Sequence, residues 1–551
     1  MLLIGCAAIV AASALVEGPR VREGAQALTA PVAEAYYLFL RARNLEGEGD
    51  IEGAIAAYTQ AAQLAPGSAD IRAELAGVYA RQNRGADARA EALAALAIEP
   101  ANREAHRILG FVFSSALDND PAGESSPAAL ENARKAASHF EAARDNRPGD
   151  PAAELTLGRL YVLLGESDRA IAILRNFLLD QPGYTEAVLL LADAHAGKGE
   201  IDEAIAVIER VAGAEPGPGA ARAGLRLTEL YERSGRWGDA ASVYERLIAQ
   251  EPRMAAVLRP RRATALVNAG NLDAARALLR EMTAASPQDA GLWFLASQAE
   301  LRAGELGDAE ASARRVIAID PKDHRGASAL ADVFIARREF PRALDTLQPW
   351  LDQGASLTPE VDEAIGSRAA HVFGELGRHD RAAEVLDRLA KRMPDDGELK
   401  FELGAAFERA RRHGDAERVF REIVAAEPSH ALALNYLGYM LADRGERLEE
   451  AVSLITRALA IEPDNPSYHD SLGWAYFKQK RYELAERHLA KAVAGAASNS
   501  IVQDHHGDAL FALKRYADAI AAWQQALGGD RADVDASQIE RKIARAKEIA
   551  R

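Results

Sequence analysis

The sequence predicts an all-α solenoid of about 14 helix-turn-helix repeats closed by a C-terminal capping helix. Three observations predict it. An alanine recurs about every 34 residues, as Ala54, Ala88, Ala136, Ala170, Ala204, Ala240, Ala275, Ala309, Ala343, Ala382, Ala416, Ala451, Ala485 and Ala519. In most of these units a proline follows the alanine by a fixed interval, from Pro66 and Pro100 to Pro428 and Pro463, and stops the second helix. A glycine or other small residue marks each first helix, as at Gly110, Gly158, Gly404, Gly438, Gly473 and Gly507. Small residues there let two helices approach closely, and a larger side chain would overpack the crossing by roughly 1–3 kcal/mol. One such pair, Pro466 to Ala497, is too small to bury its apolar face alone and needs copies on both sides.

The elements follow in order. Residues 1–18 open with an apolar, uncharged run, MLLIGCAAIVAASALV, too short for a membrane span and suited to the core of an export signal. No Lys or Arg precedes Arg20, so either translation starts further upstream or the signal is a weak one cleaved near Ala12-Ser13-Ala14. Leu3-Ile4-Gly5-Cys6 looks like a bacterial lipobox, which makes Cys6 the candidate lipidation site; the bland alternative is a small hydrophobic cysteine in an apolar run. Residues 19–34 are a linker. Repeats 1–9 span 35–355, with a loop insertion at 118–133 that is rich in proline, glycine and serine. Asp118, Asp120 and Glu124 of that loop do not have EF-hand spacing and read as a solvated acidic loop. The segment WLDQGASLTPEVDE (350–363) lacks its proline and is the expected irregular joint. Repeats 10–14 span 356–533. Residues 534–551 form the cap, with Asp535 at its start and Ile539, Ile543, Ala546 and Ile549 as its apolar stripe. Eight units also carry glycine at the turn (Gly49, Gly165, Gly199, Gly235, Gly270, Gly304, Gly377 and Gly445), where a helix end needs a left-handed residue.

The period and the small–aromatic–alanine–proline pattern resemble the tetratricopeptide repeat (TPR) family across roughly residues 35–533. The resemblance implies antiparallel helix pairs in a right-handed superhelix, with peptides or protein segments bound on the concave side. The last three units, LNYLGYMLADRGERLEEA, DSLGWAYFKQKRYELAERHLAKA and HHGDALFALKRYADAIAAWQQAL, also resemble a bacterial subgroup of exported TPR proteins. Some members of that subgroup are lipoproteins that act as adaptors for envelope proteases.

Composition narrows the function. The formal net charge is -16, from 82 acidic and 66 basic residues, which argues against the basic face that nucleic acid requires. One cysteine allows no intramolecular disulfide. There is no H-E-x-x-H, P-loop, G-x-S-x-G or paired C-x-x-C motif. His505-His506 is the adjacent histidine pair, but neighbours on a helix point apart, so it reads poorly as a metal site. With the chain assigned to repeats, no stretch remains for a catalytic domain, and neither catalytic residues nor a cofactor is expected.

The expected site is the first-helix face of the last repeats. Its positions hold Asn435, Tyr439, Asp470, Trp474, Phe477, Lys478, Asp504, Asp508 and Phe511, aromatic groups beside hydrogen-bonding ones, as at peptide-binding surfaces. If they line a groove, they should be largely exposed in the free protein. The alternative is that Trp474 and Phe477 pack between helices. The Lys/Asn clamp with which chaperone-binding TPR domains hold a C-terminal carboxylate is not reproduced, because Asp470 and Trp474 stand in its place. The expected function is a non-catalytic scaffold or adaptor on the periplasmic side of the cell envelope. Its partners would be proteins or peptide segments, such as a periplasmic protease or cell-wall enzyme. It would meet the membrane only through an N-terminal lipid or signal segment. The alternative is a structural component of a polysaccharide or protein secretion assembly.

Overall fold

The computed structural model describes residues 30–118, 123, 126–144, 150–212, 218–530 and 534–551. Cys6 and its apolar run lie outside the described residues, as do Asp120 and Glu124. Among the described residues the chain forms 29 α-helices, two single-turn 3-10 segments and no strand. It divides into two compact units, 1–265 and 266–551.

The first unit contains α1 (Ala30–Glu48), α2 (Ile51–Leu64), α3 (Ala69–Arg81), α4 (Gly85–Ile98), α5 (Arg103–Asp118), α6 (Pro127–Arg144), α7 (Pro151–Leu163), α8 (Ser167–Asp180), α9 (Thr185–Gly197), α10 (Ile201–Ala212), α11 (Pro218–Arg233) and α12 (Trp237–Gln250). The division falls in α13 (Ala255–Asn268). The second contains α14 (Leu272–Ala285), α15 (Ala290–Arg302), α16 (Leu306–Ile319), α17 (His324–Ala336), α18 (Phe340–Leu351), α19 (Pro359–Glu375), α20 (His379–Arg392), α21 (Gly397–Arg409), α22 (His413–Ala426), α23 (Ala431–Asp443), α24 (Leu448–Ile461), α25 (Pro466–Lys478), α26 (Tyr482–Gly495), α27 (Ser500–Ala512), α28 (Tyr516–Gly528) and α29 (Ala536–Ile549). Odd helices open the repeats and even helices close them, up to the cap α29.

Each recurring alanine is buried, because it lies where the two helices of a repeat cross. In the thirteenth repeat Ala485 is fully covered, and a Cβ on Gly473 would stand 3.1 Å from its carbonyl oxygen and 2.6 Å from Leu489 Cγ. All eight turn glycines have positive φ, from 69° to 84°. In other repeats Asn83, Arg338, Arg411, Lys480 and Lys514 take the same left-handed place, with φ from 56° to 63°. At that turn the Lys480 and Arg481 N–H groups donate to the Phe477 and Tyr476 carbonyls at 2.8 and 2.9 Å, which closes the last turn of α25.

First helices are also tied to the end of the preceding repeat. Trp293 Nε1 donates to the Pro287 carbonyl at 3.1 Å, and His106 Nε2 to that of Pro100 at 2.9 Å. The Nδ1 of His106 then meets His139 Nδ1 at 2.9 Å, and the same pairing joins His469 to His488 at 3.1 Å.

Two irregular segments were expected from the sequence. Of the insertion expected as a loop over 118–133, eight residues are helical: α5 reaches Asp118 and α6 begins at Pro127. Proline suits a first turn, and Ala129 and Ala133 give the added turn a buried face. At 350–363 the backbone is irregular, with a 3-10 turn at Gly354–Ser356. Packing is not interrupted, since Leu347 and Ile365 belong to one core that runs from Ala313 to Ala475. Asp362, fully buried, locks this passage through Arg388 at 2.7 Å and Arg392 at 2.8 Å, and Arg392 also donates to the Leu357 carbonyl at 2.6 Å.

Candidate functional site

The nine expected residues lie on α23, α25 and α27, and none is fully exposed. Asn435 and Asp470 are buried, and the other seven are half-buried. The sequence left open largely exposed groove residues or Trp474 and Phe477 packed between helices, and the half-buried rings lie between those two. First helices of successive repeats touch one another, and these positions supply the contacts.

Five of the nine gather around two residues outside that set, His505 and Asp443. Asp470 accepts from His505 Nδ1 at 3.0 and 3.1 Å. Burial opposes charge on His505, but the carboxylates of Asp470, Asp504 and Asp508 outweigh it and hold the imidazole above its ordinary pKa. Trp474 stacks on His505 with centroids 4.0 Å apart and on Phe477 at 5.0 Å. A protonated imidazole against an indole face adds a cation–π attraction. The Trp474 indole N–H donates to Asp443 Oδ1 at 3.0 Å, and Lys478 Nζ donates to the Asp443 carbonyl at 2.6 Å while lying 4.8 Å from the Trp474 ring centre. Tyr439 approaches His505 at 6.5 Å between centroids. Burial, then the charges of Asp443, Asp470 and Glu408, raise its hydroxyl above the ordinary range. Asn435 is 7% exposed, and its Oδ1 has no hydrogen-bond partner.

The remaining three serve the cap. Lys542 of α29 reaches Asp504 at 2.8 Å and Asp508 at 2.7 Å. Burial raises the Asp508 carboxyl against the pull of Lys542. Phe511 packs beside Trp523 and Tyr516, with the Arg545 guanidinium 5.7 Å from its ring centre. His506 turns away from His505 and keeps a buried Nε2 without a partner. Among the described residues no three His, Cys, Asp or Glu side chains are grouped to hold a metal ion. Among them, no helix is long and apolar enough to cross a membrane.

Between α19, α20, α21 and α23 lies a cavity of about 480 Å3, lined by His371, Phe401, Glu402, Arg409 and Tyr436 among others. Phe401 of α21 meets Tyr436 of α23 edge to face at 5.1 Å in the cavity lining.

Sequence profiles of the tetratricopeptide repeat match residues 45–110, 128–183 and 165–227, then 225–255, and then 261–324, 367–431, 409–466 and 446–501. The chain belongs to the tetratricopeptide repeat family. The TPR repeat-containing protein PA4667 of Pseudomonas aeruginosa is 32% identical over 143 residues, which is 26% of this chain and 24% of that protein. The BBSome complex member BBS4 of Bos taurus is 26% identical over 170 residues, 29% of this chain and 32% of that one. The chain thus matches less than a third of the length of either relative. Solved structures similar to it include the APC/C hetero-tetramer Cut9-Hcn1, at 15% identity and a TM-score of 0.35, covering 93% of this chain and 96% of that one. Naa15/Naa10 bound to HypK-THB matches at 13% identity and a TM-score of 0.39, covering 94% and 96%. TPR folds are generally non-catalytic scaffolds that bind proteins or peptides.

Proposed function

We propose that this protein is a non-catalytic scaffold of the bacterial cell envelope that holds a partner polypeptide on the first-helix face of α23 and α25. Its finer role is to recruit a periplasmic protease or cell-wall enzyme. The observation that carries the reading is the half-buried Trp474–Phe477 stack, with the Lys478 ammonium over the Trp474 ring and Tyr439 approaching through His505. Aromatic anchors beside polar groups are what an interface core uses. The lipobox-like Leu3-Ile4-Gly5-Cys6 supports export and anchoring through Cys6.

Partners captured from the native envelope with the full-length protein should bind the Trp474→Ala variant more weakly by about 2 kcal/mol or more. Affinity is read at a temperature where circular dichroism shows the variant folded. Unchanged affinity would remove the site from this face. Separately, Cys6→Ser should move the protein from the membrane to the soluble envelope fraction, and unchanged fractionation would end the lipid-anchor reading.

A further inference from the structure

The first and last helices of a repeat stack lack a neighbour that internal helices have, and a polar outer side is the usual answer. The C-terminal helix α29 gives that answer, with Glu540, Arg541, Arg545, Lys547 and Glu548 turned to solvent. The first described helix, α1, does not. Its Val32, Tyr36, Tyr37 and Leu40 are 40–60% exposed, and no other described helix leaves more than two large apolar side chains exposed. An exposed apolar patch of this kind marks a contact surface. In α3 the corresponding side is covered by a helix. Ile71, Leu75 and Val78, one repeat after Tyr37, Arg41 and Asn44, are buried: Ile71 packs with Ala61 and Ala62 of α2, and Leu75 and Val78 with Ile55 and Tyr58. In α1 it is Leu38 and Ala42 that turn to those cores, and among the described residues no helix stands before Tyr37, Arg41 and Asn44. The surface is shaped to receive a helix.

The spacing along α1 says which helix. Ala33, Tyr37, Leu40 and Asn44 recur at intervals of four, three and four, the seam of a short coiled coil. Glu34 and Arg41 flank this seam on one side, Tyr36 and Arg43 on the other. All four are exposed, and neither Glu34 nor Arg41 has an ion pair or a hydrogen bond among the described residues. When two copies of such a helix lie antiparallel about a two-fold axis, each flank meets its own counterpart with the ends exchanged. Glu34 of one copy then stands beside Arg41 of the other, and the symmetry makes that pair twice. On the opposite flank Tyr36 comes beside Arg43, where a guanidinium packs well on a phenol ring. In the antiparallel sense α1 is complementary to itself in shape and in charge.

We propose that α1 pairs antiparallel with α1 of a second copy of this chain, in a two-fold dimer that covers Tyr37 and Leu40 and closes two Glu34–Arg41 ion pairs between the copies. This does not rest on the reading of α23 and α25 as the partner-binding face. Charge complementarity of this kind fixes the orientation and suppresses wrong partners. A seam of about three turns is small beside the roughly 1,200–2,000 Å2 of stable interfaces, so the dimer is a weak one that dissociates in the micromolar range.

Sedimentation velocity of the full-length protein between about 1 and 100 μM tests it. Wild type should pass from monomer to dimer across this range. Glu34→Arg and Arg41→Glu should each weaken the dimer about tenfold, because each sets two like-charged pairs against one another. Both side chains are exposed, so circular dichroism of the variants should match wild type. An equimolar mixture of the two variants should recover the dimer, since opposite charges then meet again on the flank. The double variant Glu34→Arg, Arg41→Glu should dimerise as wild type does, because the exchange preserves the self-complementary pattern. A protein that stays monomeric at every concentration would overturn the proposal and leave α1 to the chain's own N-terminal segment or to an unrelated partner. A dimer that neither single variant weakens would overturn it by placing the contact elsewhere. Single variants that both fail to dimerise and do not recover on mixing would overturn the antiparallel pairing of Glu34 with Arg41.

Discussion

Replacing Gly473 by alanine tests the packing logic of every repeat. The added Cβ would stand 2.6 Å from Leu489 Cγ, 3.0 Å from its Cδ2 and 3.1 Å from the Ala485 carbonyl oxygen. Leu489 and Ala485 are both fully buried, and the carbonyl is backbone, so neither can retreat cheaply. Overpacking of this kind costs about 1–3 kcal/mol. Against it, alanine in place of glycine within a helix gains about 1 kcal/mol. The net is a destabilisation of about 1 kcal/mol. Gly414 in the first turn of α22 provides the contrast, since a Cβ there meets nothing within 4 Å. Gly414→Ala should stabilise by about 0.5 kcal/mol. Urea denaturation followed by circular dichroism reads both signs. Because repeats couple only to their neighbours, hydrogen exchange in Gly473→Ala should quicken in α25 to α27 and stay unchanged in α3 and α4. A Gly473→Ala variant as stable as Gly414→Ala would refute the close-crossing account.

Asp362→Asn should cost about 3 kcal/mol in urea denaturation, because it leaves Arg388 and Arg392 facing a buried neutral group, and a loss below about 1 kcal/mol would mean water serves them instead. Burial, then the charges of His469, Lys491 and Arg487, pulls His488 down to about 4 from an ordinary 6.5, so the unfolded chain takes up that proton first. The stability it lends is complete above pH 6.5 and lost as pH falls toward 4, by about 2 kcal/mol once its partial exposure is allowed for. His488→Gln should flatten that slope in urea titrations across this range, and equal slopes in both proteins would refute the assignment. Trp474→Ala should lower stability by about 2 kcal/mol through its lost stacking on His505 and Phe477, and an unchanged denaturation midpoint would refute that packing role and favour an exposed groove ring.

The repeat itself was legible because it is written in small residues. Ala485 and Gly473 sit where no other side chain fits, so their spacing reports the helix crossing directly. The turns were legible only in part. A search for glycine finds Gly445 and its counterparts but passes over Lys480 and Lys514, which accept a left-handed backbone at a cost of about 1–2 kcal/mol and give no compositional sign. The insertion misled for a related reason. Pro127 and the serines before it resemble a loop, yet proline opens α6 and the alanines after it are buried.

The site was half legible, and the missing half follows from the geometry of stacking. Register placed Asp470 and Trp474 on the right face, but a residue's partners there do not come from its own helix. His505 meets Asp470 across 35 positions, Lys478 meets Asp443 across 35, and Lys542 meets Asp508 across 34. The same interval governs ion pairs elsewhere, as in Arg226 with Asp193 at 33 and Arg368 with Asp332 at 36. A histidine judged by its immediate neighbours therefore looks scattered, while the same histidine judged one repeat away has a carboxylate waiting for it. Stacking brings nearby positions of successive first helices together, so opposite charges about one period apart are the signal to read.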